Sequence, residues 1–229
     1  MRVESSCAVI LAIDTATRSI SLALADERTL LAEVTWQSEY NHTTELAPAV
    51  EQILARAAVT TKDLTAVAVA IGPGSFTGVR IGLGFAKGLA LARNDLPLIG
   101  VRTLDIAVRA LPLDEGEAIA VIQAGRGRVV WAKYEMRNRK WEAADDGVVG
   151  TWDDVAKLAT VRSVVVGEID PVGMDVLQGN RVRVASSDQN VRRASRLVEI
   201  GWERWRRGEI DSAATLMPVY AHQPTSGEA

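Results

Sequence analysis

Two rhythms of apolar residues run along this chain. Short unbroken runs rich in β-branched residues occur at 8–13, 66–71, 118–122 and 163–167, as expected of strands buried on both faces. Residues 20–25 alternate and predict a strand returning after the polar turn 14–19. Asp26, Glu27 and Arg28 turn the chain again, and 30–36 supplies a third strand. Leu46, Val50, Ile53, Leu54 and Ala57 keep helical spacing and predict a helix over 45–58, capped by Thr43 or Thr44, with His42 in the loop before it. After the strand 66–71, Gly72-Pro73-Gly74 must break the extended chain. Residues 76–92, free of proline and rich in Ala, Leu and Gly, predict a helix.

A short strand at 97–101 follows, and Thr103 caps a helix to about 111. The stretch 111–116, with proline, glycine and acids, is the predicted boundary between a domain 1–110 and a domain 111–229, whose last segment packs back on the first. The order then restarts: a buried strand 118–122, a turn 123–127, a strand 129–134 and a third strand near Lys140. A helix from Thr151-Trp152 to 159, a strand 163–167, a helix 188–207 and an extended tail 217–220 complete it. Repetition of element order predicts internal duplication. It sets Ile13-Asp14 beside Ile122-Gln123.

Composition narrows the classes. A net charge of −3 argues against a strongly basic nucleic-acid binder and leaves room for a local basic patch. The single cysteine, Cys7, allows no internal disulfide and suits a reducing, cytoplasmic compartment. No apolar run approaches the roughly 20 residues of a membrane helix. The run 8–13 stops at Asp14 without a basic flank, so it does not read as a signal peptide.

Strand, glycine turn and helix is a layout that aims backbone N–H groups at an anion. The turn is not a Walker A loop, since no Lys-Ser or Lys-Thr follows, and it is not a Rossmann fingerprint, since Thr77 holds the third glycine position. Anion binding and a simple helix start needing glycine angles both remain open. The helix carries two small-residue lines: Gly78, Gly82, Ala86, Ala90, and Gly84, Gly88, Ala92. Glycine inside a helix costs about 1 kcal/mol relative to alanine, so close approach by another backbone is expected, from within the fold or from a second chain. Arg80 and Lys87 are expected to be solvated.

Asp14 can hold a magnesium-bound water or a phosphate, or it can close an Asx turn. Its counterpart Gln123 cannot ionise, which argues against phosphoryl transfer. His42 and His222 are unpaired at ligand spacing, Cys7 has no nearby histidine, and Ser75 lies outside any Gly-x-Ser-x-Gly. The last helix interleaves Arg192, Arg193, Arg196, Arg204, Arg206 and Arg207 with Trp202 and Trp205. Such a helix can contact RNA, or it can pack its Leu197, Ile200 and Gly201 side inward and solvate its charges.

Ile13-Asp14-Thr15, His42-x-x-Glu45-Leu46-x-Pro48, the run from Gly72 to Gly82, Lys87-Gly88-Leu89-Ala90 and Pro218-Val219-Tyr220 together resemble the TsaB family, also called YeaZ. The match is dense over 8–104 and thin after Arg128 except in the tail. The resemblance implies an α/β fold of the actin, sugar-kinase and heat-shock ATPase type, with two subdomains of duplicated ribonuclease H-like units. It implies a part in making N6-threonylcarbamoyladenosine on tRNAs that read codons beginning with A.

In that family the protein is a partner and not the catalyst. The paralogue TsaD transfers the threonylcarbamoyl group from its adenylate, made by a separate synthase, and the ATPase TsaE completes the bacterial complex. TsaD carries metal-binding histidines where this chain reads Gly100-Val101-Arg102-Thr103-Leu104-Asp105-Ile106, so no catalytic residue and no metal site are expected.

Pairing with TsaD, or with a second copy, is implied through the helices after His42 and after the glycine turn. The candidate interface residues are Leu46, Val50, Gly78, Gly82, Gly84, Lys87 and Gly88. Candidate nucleotide ligands are Asp14, Thr15, Gly72, Gly74 and Ser75, for ATP or ADP at the interface with TsaD, with tRNA met through the complex. One departure stands out: many relatives have Asp-Ala-Arg where this chain has Gln123-Ala124-Gly125-Arg126. The competing readings are a nucleotide-hydrolysing or kinase-like enzyme using Asp14, and a metallopeptidase, an old label on the wider family.

Overall fold

A computed structural model describes residues 8–39, 41–93, 96–113, 116–125 and 127–221. Cys7, Arg126 and His222 lie outside the described residues, as do Asp114 and Glu115 in the expected boundary. The chain divides into two compact units. One is Met1–Ile71, Phe76–Val101 and Arg193–Pro218; the other is Gly72–Ser75, Arg102–Arg192 and Val219–Ala229. This grouping and a division at 110 differ at two helices. The helix that starts at Thr103 belongs to the second unit, and the last helix belongs to the first.

In the first unit, β1 (Val9–Asp14), β2 (Ser19–Asp26) and β3 (Leu30–Gln37) form an antiparallel meander. Strands β4 (Leu64–Ala70) and β5 (Leu98–Val101) add to it in parallel, giving the order β3-β2-β1-β4-β5. Every residue of β1 is buried, so both faces of the sheet are covered. Helices α1 (His42–Arg56) and α2 (Phe76–Ala92) pack on this sheet, and so does the last helix, α6 (Ala194–Arg206). Gly201 lets α6 approach closely: a Cβ there would lie 3.0 Å from the Ala68 Cβ on β4. Fully burying a Val, Leu or Ile in such a sheet contributes about 2 kcal/mol.

Helix α1 starts three residues before its predicted start. His42 is its first residue, 6% exposed, and its Nε2–H donates to the Thr17 carbonyl at 2.8 Å. A side chain read from sequence as part of a loop is therefore a pin between α1 and the β1–β2 turn.

In the second unit, β6 (Glu117–Gly125), β7 (Arg128–Arg137) and β8 (Lys140–Ala143) repeat the meander, and β10 (Ser163–Gly167) and β11 (Arg183–Val184) repeat the parallel pair. The order β11-β10-β6-β7-β8 is the first sheet's order read from the other side. The short strand β9 (Val148–Gly150) pairs with β7. Side chains of β6 alternate between two cores. Ala118, Ala120 and Ile122 face α3 (Thr103–Val108), while Ile119 and Val121 face α4 (Trp152–Leu158) and α5 (Pro171–Gly179). Gly173 of α5 leaves room for the Trp152 ring, which would collide with any Cβ there.

One polar pair crosses the α3 core. Tyr134, 1% exposed, donates its hydroxyl hydrogen to Asp105 Oδ1 at 2.5 Å. Burial first, and then the Asp105 carboxylate, push the phenol well above its ordinary range. Because the folded value exceeds the unfolded one, this contribution to stability is intact below the unfolded phenol's pKa of about 10 and is lost as pH rises through the folded value. Tyr134→Phe is expected to lower stability by about 1–3 kcal/mol in urea unfolding, because Asp105 loses its donor. It should also flatten the loss of stability that the parent shows above pH ~10.

Candidate functional site

The first unit's candidate residues lie on α1, on α2 and at the end of β1. Asp14 closes β1, is completely buried, and accepts the Ala16 N–H at 3.0 Å, which makes it the hub of an Asx turn. Thr15, 1% exposed, donates its hydroxyl to the Gly78 carbonyl inside α2 at 2.7 Å. A Cβ on Gly82 would collide with that same hydroxyl. Thr15 thus occupies the groove that Gly78 and Gly82 leave open, and the first small-residue line of α2 packs against its own sheet.

Gly72, Gly74 and Ser75 belong to the second unit. The Gly72–Pro73 peptide is cis, and Gly72 has φ of +100°, which favours glycine. The Val219 carbonyl lies where a side chain would go, and the Gly72 carbonyl accepts the Thr103 N–H at 2.8 Å. Ser75 is exposed. Asp14 and Thr15 are buried with their side chains bonded to the fold, so they do not fit a phosphate ligand set as they stand. Among the described residues no group of three or more His, Cys, Asp and Glu side chains is placed to hold a metal ion, and no helix is long and apolar enough to cross a membrane.

The expected interface residues separate into two sets. Leu46, Val50, Gly78 and Gly82 are buried within the first unit, so these four serve the fold. Gly84 and Gly88 are exposed, with nothing within 4 Å of where a Cβ would sit, and Lys87 is half-buried beside them. Phe76 (56% exposed) and Leu91 (66%) stand at the two ends of this outward face. The exposed Arg80 guanidinium lies 3.3 Å from the centre of the Phe76 ring and is stacked on it.

The second-half turn is built differently from the first. Gln123 donates its backbone N–H to Glu168 Oε2 and its side-chain Nε2–H to the Glu168 carbonyl, both at 3.2 Å. Glu168 in turn binds Arg192, whose side chain is 1% exposed, at 2.6 Å. An aspartate in place of Gln123 cannot donate to that carbonyl and would add a second negative charge beside Glu168. The departure at this position therefore has a structural cause, which a search for acids facing acids misses.

The arginines of the last segment are mostly engaged by the protein. Arg193 pairs with Glu33, Arg196 with Glu199 and Arg207 with Glu209. Arg204 donates to the Gly100 carbonyl at 2.5 Å and pairs with Asp211, and the Arg206 guanidinium lies 5.9 Å from the Trp202 ring centre. Trp202 is buried. Of the two readings of this helix, the packed one describes Leu197, Gly201 and Trp202, and the partners of Arg193 and Arg204 come from β3, β5 and the segment after α6.

Two sheets of identical strand order, each a meander extended by parallel strands, define a protein of the actin, sugar-kinase and heat-shock ATPase fold. The TsaD family model, "tRNA N6-adenosine threonylcarbamoyltransferase", matches residues 29–171. The tRNA threonylcarbamoyladenosine biosynthesis protein TsaB of Escherichia coli is 34% identical over 96% of this chain and 88% of its own length. Its Bacillus subtilis counterpart is 30% identical over 92% and 93%. The solved structure of YeaZ from Pseudomonas aeruginosa superposes with a TM-score of 0.75 at 26% identity, covering 93% of this chain and 99% of that one. The chain belongs to the TsaB, or YeaZ, family.

The two glycine lines predict opposite responses to one added methyl group. Gly82→Ala should cost about 1–3 kcal/mol, because Thr15 must move, and in a Thr15→Ala background the cost should shrink. Gly84→Ala should raise the stability of the isolated chain by about 0.5–1 kcal/mol. Urea unfolding of the parent, Thr15→Ala, the two Gly82→Ala proteins and Gly84→Ala checks both expectations.

Proposed function

We propose that this chain is a non-catalytic scaffold and activating subunit that works with TsaD, and with TsaE, in transferring a threonylcarbamoyl group to adenosine of tRNAs reading A-starting codons. Family membership supports the pathway. The observation that carries the role is the outward face of α2. Gly82 has a reason within the chain. Gly84 and Gly88 have none, and each costs about 1 kcal/mol in a helix interior without a compensating contact.

Glycines on an open helical face allow another backbone to come close, and Phe76 and Leu91 supply apolar anchors at either end of the contact. TsaD is the natural occupant, and a second copy of this chain would compete for the same face. Asp14, held in its Asx turn, acts in this reading as the anchor of the β1–β2 turn. ATP or ADP, if used by the assembly, then answers chiefly to TsaD.

Reconstitution tests the proposal. The purified chain alone should show no transfer to unmodified tRNA, and adding it to TsaD and TsaE should switch transfer on. Gly84→Leu should leave the chain folded, with an unchanged circular dichroism spectrum, yet abolish co-elution with TsaD and reduce transfer at least tenfold. Full transfer by TsaD and TsaE without this chain would end the proposal.

A further inference from the structure

The second unit gathers cations at one end of its sheet. Strand register places them there. Ser163 of β10 pairs with Glu117 of β6, Glu117 with Glu135 of β7, and Val164 with Arg183 of β11. Arg162 immediately precedes β10, and Arg181 immediately precedes the approach to β11. Beyond Glu135, β7 runs on to Arg137, which pairs with Lys140 across the hairpin. Asn138 and Arg139 turn that hairpin with φ of 50° and 59°. The tip therefore stands beyond the row of strand starts and presents Arg137, Arg139 and Lys140, all exposed, at its point.

Arg162, Arg181 and Arg183 are exposed as well. With strands ~4.8 Å apart, the cations span the sheet from β11 to β8, on the order of 20 Å. Acids at this end are largely occupied. Glu117 accepts the hydroxyls of Thr160 and Ser163, and Glu135 is bound to Arg137 at 2.6 Å. Glu142 lies opposite Glu135 on β8. Asp114 and Glu115 fall outside the described residues. Arg139, Lys140, Arg162 and Arg181 form no ion pair among the described residues. This sets them apart from the arginines around α6, most of which are committed to the fold.

We propose that this end of the second sheet is a sequence-independent contact for the phosphate backbone of tRNA. The inference rests on the reading above that the chain works in an assembly acting on tRNA. Arginine forks match phosphate oxygens, and a row of them across the end of a sheet suits a ligand of regularly repeated negative charge. A protein partner would want apolar or aromatic anchors at the centre of the contact. The exposed large hydrophobics near this end are Val161 and Leu113, and no exposed aromatic lies among the cations. With no exposed aromatic among the described residues there to stack on bases, the contact positions the RNA without reading its sequence.

The test is filter binding of an unmodified tRNA transcript, across a salt series, to the full chain and to its assembly with TsaD and TsaE. Arg139→Glu, Lys140→Glu and Arg162→Glu together should weaken binding about tenfold or more and reduce the salt slope by roughly two to three. The thermal midpoint and co-elution with TsaD should not change. The charge-preserving pair Arg139→Lys and Arg162→Lys should retain most of the binding. Unchanged affinity and slope in the triple variant would overturn the proposal. So would unchanged tRNA affinity with loss of TsaE or TsaD from the assembly, which would assign the surface to a protein. If the parent chain fails to pair with TsaD while the triple variant still weakens tRNA binding by the chain itself, the subunit reading fails and the RNA contact stands.

Discussion

The hydrogen bond from Thr15 to the Gly78 carbonyl fixes how α2 is turned on its sheet. The hydroxyl leaves the end of β1 and enters the groove that Gly78 and Gly82 open in the helix. A helix has one rotation that satisfies such a contact. With Gly78, Gly82, Ala86 and Ala90 turned inward, residues offset by about half a turn must point out, and these include Gly84 and Gly88. A buried threonine thus determines which small-residue line is available to a partner. The outward face of α2 and the core of the first unit are two faces of one helix, set by one contact.

Duplication explains the frame in which that contact sits. Each unit has a three-stranded antiparallel meander followed by two parallel strands, in the same order. A parallel strand needs a crossover, and in the first unit α1 and α2 supply it on the way from β3 to β4 and from β4 to β5. In the second unit α4 and α5 do the same for β10 and β11, with helices half as long. The first unit also receives α6, whose Gly201 and Ala194 meet the sheet through a close backbone approach and through the Ser21 hydroxyl.

Much of this architecture is legible in the residues. The continuous β-branched runs mark the buried strands, and the third strand of the second meander lies at Lys140 as expected. The dense motifs from Ile13 to Ala90 point to the family that the comparisons show. What stayed hidden depends on distant partners. The last helix is expected from residue 188 but starts at Ala194, because Arg192 turns inward to Glu168 and the Ala194 N–H is taken by Ser21. Helix α5 and strands β9 and β11 are short, and periodicity over so few residues does not separate them from loop. Gly82 and Gly84 are identical in local pattern. Only the position of Thr15, remote in sequence, distinguishes a glycine required by the core from one left facing outward.

Gln123 shows how the two halves have diverged. In the first half, Asp14 accepts the Ala16 N–H, and a carboxylate suits that site. In the second half, the equivalent strand end meets Glu168, which is already tied to a buried arginine. Breaking a buried ion pair by removing one partner is costly, so the Glu168–Arg192 contact constrains what can sit beside it. A second carboxylate at position 123 would compete with Glu168 for that single guanidinium. An amide satisfies the same strand end as a donor and brings no charge. Where the first half ends its strand on a carboxylate, the second half ends it on an amide hydrogen-bonded to Glu168.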